Sequence, residues 1–378
     1  MQRHPITPRP NWQATVEEQG LTYHTLDGAP YWHESAYYEL TSEEVDALEQ
    51  AANDLHALCI AAAEQVIQQK RWDELAIPSA AVPVILKSWE RDDFSLYGRF
   101  DFAYDPASGP PKLLEYNADT PTGLVEAAVA QWYWLQDQFK DSDQFNSVHE
   151  RLIAAWQKLK RTGAERVHLA GIKEHLEDAQ TVLYLQDTCH QAELLEKQLF
   201  IEDIGWDARR KVFVDLDNEA IETLFKLYPW EWLLAEEFGQ HLALESCRMI
   251  EPAWKMLLSN KALLPILWEL YPEHPNLLPA YSAEAKPAEL DSYVLKPKLG
   301  REGANVKVVI CNRTMAETTG DYGQEGFIAQ AYGPVPTFDG YFPIMGVWMV
   351  DHEACGLGIR EDTNWITSNT SLFTPHIF

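Results

Sequence analysis

The sequence of 378 residues is poor in cysteine, in basic residues and in long apolar stretches. Its five cysteines are scattered without a CxxC pair, which argues against a zinc ribbon and against a disulfide framework. No run of about 18 apolar residues occurs, so we expect no membrane-spanning segment and no membrane partner. The first residues, MQRHPITPRPNWQ, lack an apolar core, so we expect no signal peptide and a cytoplasmic protein.

Acidic residues outnumber basic ones. The chain has 58 Asp and Glu and 30 Lys and Arg, which give a formal net charge of −28. A general nucleic-acid binder needs a basic surface, so we expect no nucleic-acid partner. The acidic excess has two interpretations. It provides solubility through self-repulsion, or it forms an approach surface for a cationic substrate such as a polyamine. Net charge alone does not distinguish them.

The first third of the chain shows clear helix and strand patterns. Residues 42–70 have the pattern of one long amphipathic helix, with Thr41 or Ser42 as its N-cap. Residues 94–104 alternate like a strand, and after a turn the segment KLLEYN, residues 112–117, returns as its partner in a hairpin. A helix should follow over residues 122–139, capped by Thr120 or Thr122.

The rest of the chain combines two kinds of sheet. The segments RVHLAGI and QLFIEDI flank a helical pattern, and this strand–helix–strand order predicts a parallel α/β layer. From SYVLKPKLGREGANVKVVI onward, strands alternate with turn glycines, which predicts an antiparallel α+β region. With no internal repeat or low-complexity linker, the sequence indicates one interwoven enzyme of mixed α+β and α/β class, with a ligand in the cleft between its lobes.

Acceptor side chains cluster in the predicted hairpin. The stretch KLLEYNADTP places Glu115, Asn117 and Asp119 at every second position, hence on one face of a strand. Arg99 and Asp101 share one face of the partner strand. Such carboxylate and amide oxygens suit a hard cation such as Mg²⁺, and the neighbouring guanidinium suits a phosphate or carboxylate. The alternative is a solvated hairpin whose charges pair with each other.

Further basic residues stand beside glycines or a helix start. Lys296 and Lys298 end a strand, and Gly303 lies in the following loop, whose N–H groups can face phosphates. The loop matches neither GxxxxGK(S/T) nor GxGxxG, and a basic surface turn is the alternative. Lys261 falls in the first turn of an apolar helix, where the dipole disfavours it, and Arg360 follows a glycine-rich strand. The alternative for Lys261 and Arg360 is a surface position from which the long side chain reaches solvent.

Taken in order, seven motifs resemble the glutathionylspermidine synthase-like family of ATP-grasp carboxylate–amine ligases. The motifs are YGRFDFAYD, KLLEYNADTPT, FKLYPWEW, SNKALLPILW, LKPKLGREGANV, GFIAQAY and GIREDTNWIT. The resemblance is strongest to stand-alone bacterial members that consist of the synthetase domain without an amidase domain. It implies one synthetase unit over residues 1–378, with an ATP-grasp-type fold and ATP in a cleft between antiparallel lobes.

The resemblance also implies a role for particular residues. The implied metal ligands are Asp101, Glu115 and Asn117, and the implied catalytic arginines are Arg99 and Arg360. The implied nucleotide-binding residues are Lys261, Lys296, Glu302, Gly303, Gln330, Ala331, Tyr332, Gly333, Trp365, Ile366 and Thr367. Thr120 stands where the family has a hydroxyl side chain that touches the peptide substrate.

The implied reaction uses ATP and Mg²⁺ to convert a carboxylate to an acyl phosphate, which an amine then displaces. The implied partners are small molecules, a glutathione-like acid and an amine such as a polyamine, bound by a monomer or homodimer. Leu227 departs from the family, where a threonine contacts glutathione, and Glu177 and Asp178 are only candidates for amine contacts.

Two rival functions stay open at this stage. A catalytically degenerate ATP-grasp protein would bind nucleotide or an acidic peptide without turnover. A redox enzyme would use a cysteine beside a histidine, either Cys59, one helical turn after His56, or Cys189, next to His190.

Overall fold

Two five-stranded antiparallel sheets carry most of these motifs in the computed structural model, which describes residues 1–26 and 28–378. The strands of the first, here called the central sheet, are in order Leu372–Thr374, Glu353–Asp362, Phe342–Val350, Tyr97–Ala103 and Lys112–Asn117. The predicted hairpin is confirmed. Its register sets Asp101 opposite Glu115 and Arg99 opposite Asn117, so the acceptor side chains meet.

The second antiparallel sheet, here called the outer sheet, holds the lysine and glycine motif. Its strands are in order Ala280–Ser282, Phe327–Ala331, Tyr293–Pro297, Lys307–Ile310 and Arg313–Glu317. The loop between Pro297 and Lys307 contains the glycines, as the sequence predicted. Hydrogen bonds from this sheet reach the backbone of the strand Lys112–Asn117, so the two sheets are held face to face around a cleft.

A parallel sheet forms the middle of the chain. Its strands are in order Arg248–Ile250, Thr223–Lys226, Arg166–Gly171 and Leu195–Phe200. The helix Leu176–Gln191 joins the last two of these strands, which confirms the predicted strand–helix–strand unit. A further sheet combines Gln2–Pro5, Ala36–Glu39 and His376–Ile377. The chain is therefore a mixed α/β protein with several sheets.

The long helix spans Ser42–Gln69, close to its predicted bounds. Thr41 caps it in a capping box with Glu44, an arrangement that contributes about 1 kcal/mol. The other helices are Trp12–Glu18, Val82–Glu90, Gln131–Gln138, Val148–Arg161, Leu176–Gln191, Trp230–Ala235, Lys255–Ser259 and Leu263–Leu270. Across residues 1–26 and 28–378, none of the helices has the length and apolar character needed to cross a bilayer.

The segment predicted as a helix over residues 122–139 departs from that prediction at its start. Gly123 has a positive φ of 84°, and the chain then forms a π-helical turn, Glu126–Ala130, before the regular helix Gln131–Gln138. The predicted threonine cap is wrong. Pro121 keeps the residue before it out of the helical region, and the Thr120 hydroxyl accepts a hydrogen bond from Arg301 instead.

Lys261 is not in the first turn of a helix, which corrects a second prediction. The helix begins at Leu263, and Lys261 lies in the turn before it. The Asn260 side chain accepts the Ala262 N–H at 2.9 Å and so holds this turn. The lysine therefore avoids the unfavourable helix dipole and projects into the cleft.

Candidate active site

The residues that the sequence singled out line two adjoining cavities. The inter-sheet cavity, between the central and outer sheets, is lined by Lys261, Lys296, Gln330, Ala331, Tyr332, Gly333, Trp365 and Ile366. The arginine cavity is lined by Arg99, Asn117, Thr120, Arg301 and Arg360. The wall that both cavities share includes Asp101, Glu115, Glu302, Gly303 and Thr367. The fold thus gathers the whole predicted set, while the role of each residue stays a prediction.

Two carboxylates and an amide form a compact cluster on the shared wall. The Asn117 Nδ2 donates to Asp101 Oδ2 at 3.0 Å and to Glu115 Oε1 at 3.1 Å. Arg99 Nε donates to Asp101 Oδ1 at 2.6 Å, and Lys261 Nζ lies 2.9 Å from Glu115 Oε2. The charges of the hairpin do pair with each other, as the alternative supposed. The cluster is not solvated, however, because the side chains of Arg99 and Asp101 are only 14% and 12% exposed.

The basic side chains around the cluster set the charge of its carboxylates. Burial alone would raise the pKa of Glu115, but the ammonium groups of Lys261 and Lys296 outweigh burial and hold this pKa well below its usual range. Burial raises the pKa of Asp101, and the Arg99 guanidinium opposes that rise. Burial also lowers the pKa of Lys296 to about 8, against the attraction of Glu115. The neighbouring ammonium groups therefore hold the Glu115 carboxylate in its charged form.

This donor set fits Mg²⁺, which prefers carboxylate, amide and water oxygens. Glu115 and Asp101 converge on the same Asn117 amide and face both cavities. The amide now directs its nitrogen at the two carboxylates. A half turn of the Asn117 side chain would aim its oxygen at an ion instead, so that three oxygens would be available.

Lys296 and Gln330 bind the two sheets together at the base of the inter-sheet cavity. Lys296 Nζ donates to the carbonyl of Leu114 and to Gln330 Oε1, both at 2.9 Å. Gln330 Nε2 donates to the carbonyl of Leu113 at 2.8 Å. Lys296 is buried, so the alternative of a basic surface turn is wrong for this residue. At the rim, the Trp365 ring lies 5.4 Å from that of Phe342.

The glycine loop closes over the shared wall. Gly303 has a φ of 69°, and a Cβ built there would lie 2.4 Å from the Thr367 carbonyl oxygen. This close approach and the left-handed conformation both require glycine. Lys261 Nζ donates to the Gly300 carbonyl at 2.6 Å, which ties the start of the loop to the cleft. The loop is therefore held against the segment that carries Ile366 and Thr367.

Arg360 lines the arginine cavity and is held in place by backbone carbonyls. It lies within the strand Glu353–Asp362 rather than after it, and its Nη2 donates to the carbonyls of Ser368 and Ser371 at 2.6 and 3.1 Å. Its Nε is buried and has no hydrogen-bond partner within the described residues. The guanidinium also lies over the Tyr31 ring, 5.6 Å from its centre. These contacts fix its position and leave donor capacity for a ligand.

Arg301 is a third arginine of this cavity, and the sequence reasoning missed it. Its Nη1 donates to the Thr120 hydroxyl at 2.6 Å and its Nη2 to Glu231 Oε1 at 2.8 Å. Arg301 thereby joins the glycine loop to Thr120 and to the helix Trp230–Ala235. The only sequence signal was its place between the loop glycines, in LGREGAN.

Asp119 does not join the acceptor cluster, although it continues the alternation of Glu115 and Asn117. The strand ends at Asn117, so the two-residue period no longer applies beyond it. Asp119 Oδ1 accepts from the fully buried Lys226 Nζ at 2.7 Å, and its Oδ2 accepts the Trp230 N–H at 3.0 Å. Asp119 is therefore a structural residue that anchors the wall of the cavity.

Acidic residues face the arginines across the cavity. Glu177 and Asp178, at the first turn of the helix Leu176–Gln191, both line it, and Asp178 pairs with His175 at 3.0 Å. Leu227, the position that departs from the family pattern, is buried in the same wall. The two carboxylates are thus placed where a cationic group could enter.

The cysteine–histidine pairs do not form reactive sites, so the redox alternative is wrong for them. Burial raises the pKa of Cys59 far above its usual range, and burial raises the pKa of Cys189 to about 12. His56 bonds to Tyr116 and His352, at 3.1 and 2.9 Å. A thiolate is the reactive form of cysteine, and these two thiols stay protonated.

Comparison with known proteins identifies the family. A sequence profile described as “Glutathionylspermidine synthase preATP-grasp” matches residues 3–378. The chain therefore belongs to the glutathionylspermidine synthase family, as its motifs predicted. Its relatives are synthetases and ligases that form amide bonds, which confirms the predicted enzyme class, an acid–amine ligase.

Individual relatives differ in how much of their length the chain covers. A Haemophilus influenzae protein named “Putative acid–amine ligase” is 44% identical over 384 residues, which cover 98% of this chain and 97% of that one. Trypanothione synthetase of Crithidia fasciculata is 29% identical over 89% of this chain. The bifunctional glutathionylspermidine synthetase/amidase of Escherichia coli is 25% identical over 90%. The chain spans only 56% and 59% of the lengths of these last two relatives.

A solved structure shares the fold. The apo glutathione synthetase-like effector from Globodera pallida has a TM-score of 0.56 at 9% identity, over 98% of this chain and 99% of the effector. The mixed α/β architecture with several sheets is thus that of a glutathione synthetase-like protein, and the predicted class is confirmed at this level.

Proposed function

We propose that the chain is an ATP- and Mg²⁺-dependent ligase that joins a peptide-like carboxylate to an amine through an acyl phosphate. One observation carries the proposal. Asp101 and Glu115 lie on the wall that the inter-sheet cavity, with its two lysines and glycine loop, shares with the arginine cavity. Asn117 lies beside them in the arginine cavity, which holds three arginines. A nucleotide on one side and a carboxylate on the other would meet at this wall.

The inter-sheet cavity suits ATP, and we propose an ATP-grasp arrangement with the nucleotide between the two antiparallel sheets. Lys261 and Lys296 supply positive charge for the phosphates, and the loop at Gly303 supplies backbone N–H groups. The segment from Gln330 to Gly333 also lines this cavity, and Trp365 provides an aromatic surface for the base.

The arginine cavity suits the acid. A carboxylate is a poor electrophile, and transfer of the terminal phosphoryl group of ATP converts it to an acyl phosphate. Arg99 and Arg360 are placed to balance the negative charge that develops on the transferred group. Mg²⁺ held by Asp101, Glu115 and Asn117 would neutralise phosphate charge when bound. The loop at Gly303 would exclude water, which would otherwise hydrolyse the intermediate.

For the two substrates we propose a glutathione-like peptide and a polyamine-like amine. Thr120 and Arg301 offer a hydroxyl and a guanidinium to the peptide, and Glu177 and Asp178 offer carboxylates to a cationic amine. The E. coli and Crithidia relatives, a glutathionylspermidine synthetase/amidase and a trypanothione synthetase, support this choice of chemistry. The Leu227 side chain cannot hydrogen-bond a peptide, so the test below includes small peptides other than glutathione.

The test supplies MgATP with glutathione and other small peptides, and with spermidine and other amines. We expect ADP release only when an acid and an amine are both present, together with a new amide product detected by mass spectrometry. Saturating MgATP should also raise the melting temperature by mass action. A shift in melting temperature without ADP from any pair would favour a degenerate nucleotide-binding protein. Absence of both would refute the proposal.

Replacing Gly303 by alanine should weaken nucleotide handling without unfolding the protein. The added Cβ would meet the Thr367 carbonyl at 2.4 Å, so the loop would move away from the shared wall. We expect kcat/KM for ATP to fall about tenfold or more, since a displacement of about 1 Å can cost that much. Gly163→Ala is the matched control, because Gly163 also has a positive φ, 94°, but has open space around it. Equal kinetics in the two variants would contradict a closing role for the loop.

A further inference from the structure

The arginine cavity has an apolar wall in addition to its charged groups. The wall consists of Ile172, Leu227, Pro229 and Trp232. Trp232 keeps 39% of its surface exposed, although it is a large apolar residue that lines a cavity. Its ring packs edge-on against that of Tyr228, with the ring centres 5.6 Å apart. An accessible aromatic side chain in a cavity is a usual contact for the apolar part of a ligand.

The fold places this wall at the carboxyl ends of two neighbouring parallel strands. The strands Arg166–Gly171 and Thr223–Lys226 pair with each other, and Ile172 and Leu227 are the residues that directly follow them. Ligands of parallel α/β sheets bind outside this edge of the sheet. Leu227 is buried and forms the back of the wall, so the accessible contact comes from the residues after it.

Contacts connect Trp232 with the groups proposed for the acid. Its neighbour in the sequence, Glu231, accepts a hydrogen bond from Arg301 Nη2 at 2.8 Å. Arg301 Nη1 in turn donates to the Thr120 hydroxyl at 2.6 Å. The carboxylates proposed for the amine come from a different helix, Leu176–Gln191. Trp232 is therefore placed to meet the peptide-like acid.

We infer that Trp232 is a specificity-determining residue that binds an apolar side chain of the acid. The inference rests on the proposed function and names the class of acid, a small peptide whose central residue is aliphatic or aromatic. The side chains of Ile172, Leu227 and Pro229 have no hydrogen-bonding group. A polar side chain placed against this wall would lose contacts with water and gain none in return, so the wall selects against it.

The experiment compares γ-glutamyl-leucyl-glycine with γ-glutamyl-seryl-glycine, which differ only in the central side chain. MgATP and spermidine are held at fixed concentrations, and the amide product is measured by mass spectrometry. In the parent we expect kcat/KM to favour the leucyl peptide at least about tenfold, the usual range for burying a few methylene groups. In Trp232→Ala this preference should fall to about twofold or less, because the accessible part of the wall is lost.

Trp132→Ala is the matched control. Trp132 is equally exposed, at 38%, and lines a separate cavity, so this variant should keep the parent preference. Trp232→Leu restores an apolar side chain without an aromatic ring and should recover part of the preference. Equal use of the two peptides by the parent, or an unchanged preference in Trp232→Ala, would overturn the inference. So would a rise in the KM for spermidine alone, which would indicate a cation–π contact with the amine.

A measurement without turnover separates this inference from the proposed function. If the parent forms no amide from any peptide and amine, the proposed ligase function fails. Calorimetric titration of the parent with the two peptides then tests the wall by itself. Tighter binding of the leucyl peptide, lost in Trp232→Ala and kept in Trp132→Ala, would support the inference. Equal affinities, or no binding of either peptide, would overturn it.

Discussion

Glu115→Ala is expected to lower MgATP-dependent turnover by at least about 100-fold while the protein stays folded. Glu115 faces the cavities with 26% of its side chain exposed, so its removal leaves no closed void in the core. Its carboxylate is the anion that both Lys261 and Lys296 face. Without the Glu115 carboxylate, a bound Mg²⁺ would lose a proposed ligand. The pKa of Lys296 would also fall further, because the charge of Glu115 would no longer oppose the effect of burial, and this lysine would lose charge near neutral pH.

The measurement is ADP release over a series of Mg²⁺ concentrations, with the melting temperature recorded beside it. Glu317→Ala is a suitable control, because Glu317 is exposed on the edge strand Arg313–Glu317 and pairs with Lys307 at the surface. It should behave like the parent. Parent-like turnover by Glu115→Ala at low Mg²⁺ would remove this residue from the proposed metal site.

Asp119→Ala is expected to reduce the free energy of unfolding by about 3–5 kcal/mol, the usual cost of breaking a buried ion pair from one side. Lys226 is fully buried, and its Nζ would lose the Asp119 carboxylate and retain the hydrogen bond to the Tyr228 carbonyl. The Trp230 N–H at the start of its helix would also lose its acceptor. The measurement is urea denaturation followed by circular dichroism.

Two further variants make this result specific. Asp119→Ala combined with Lys226→Met removes both charges and should recover part of the lost stability, because no uncompensated buried charge is left. Asp339→Ala breaks a pair with Arg3 in which Asp339 is 70% exposed, and it should cost less than about 1 kcal/mol. An equally small cost for Asp119→Ala would mean that water reaches Lys226.

The sequence predicted those parts of the site that depend on local spacing. Asp101, Glu115 and Asn117 came together because a hairpin has a two-residue period and a fixed register. The same period was misleading for Asp119, since the strand ends two residues earlier. The helix was predicted to start too early, because the turn that Asn260 holds before Leu263 is difficult to distinguish from one further helical turn in sequence alone.

The contacts that the sequence could not reveal join distant segments. Lys296 bonds to the carbonyl of Leu114, and Arg301 to Thr120, in each case across about half the chain. Glu126 fell within the helix predicted over residues 122–139, and nothing in the sequence set it apart. In the fold its carboxylate is fully buried and accepts a hydrogen bond from Tyr31, which lies 95 residues away in the sequence.

The order of strands in the central sheet has a consequence for how the protein folds. The strand Tyr97–Ala103 pairs on one side with its hairpin partner and on the other with Phe342–Val350, which is synthesised much later. Such distant pairing slows folding, because the long intervening chain must first be brought together. During synthesis the hairpin therefore has an unpaired edge, which is prone to aggregate. Arg360 is synthesised later still, so a nascent chain contains Asp101, Glu115 and Asn117 well before it contains Arg360.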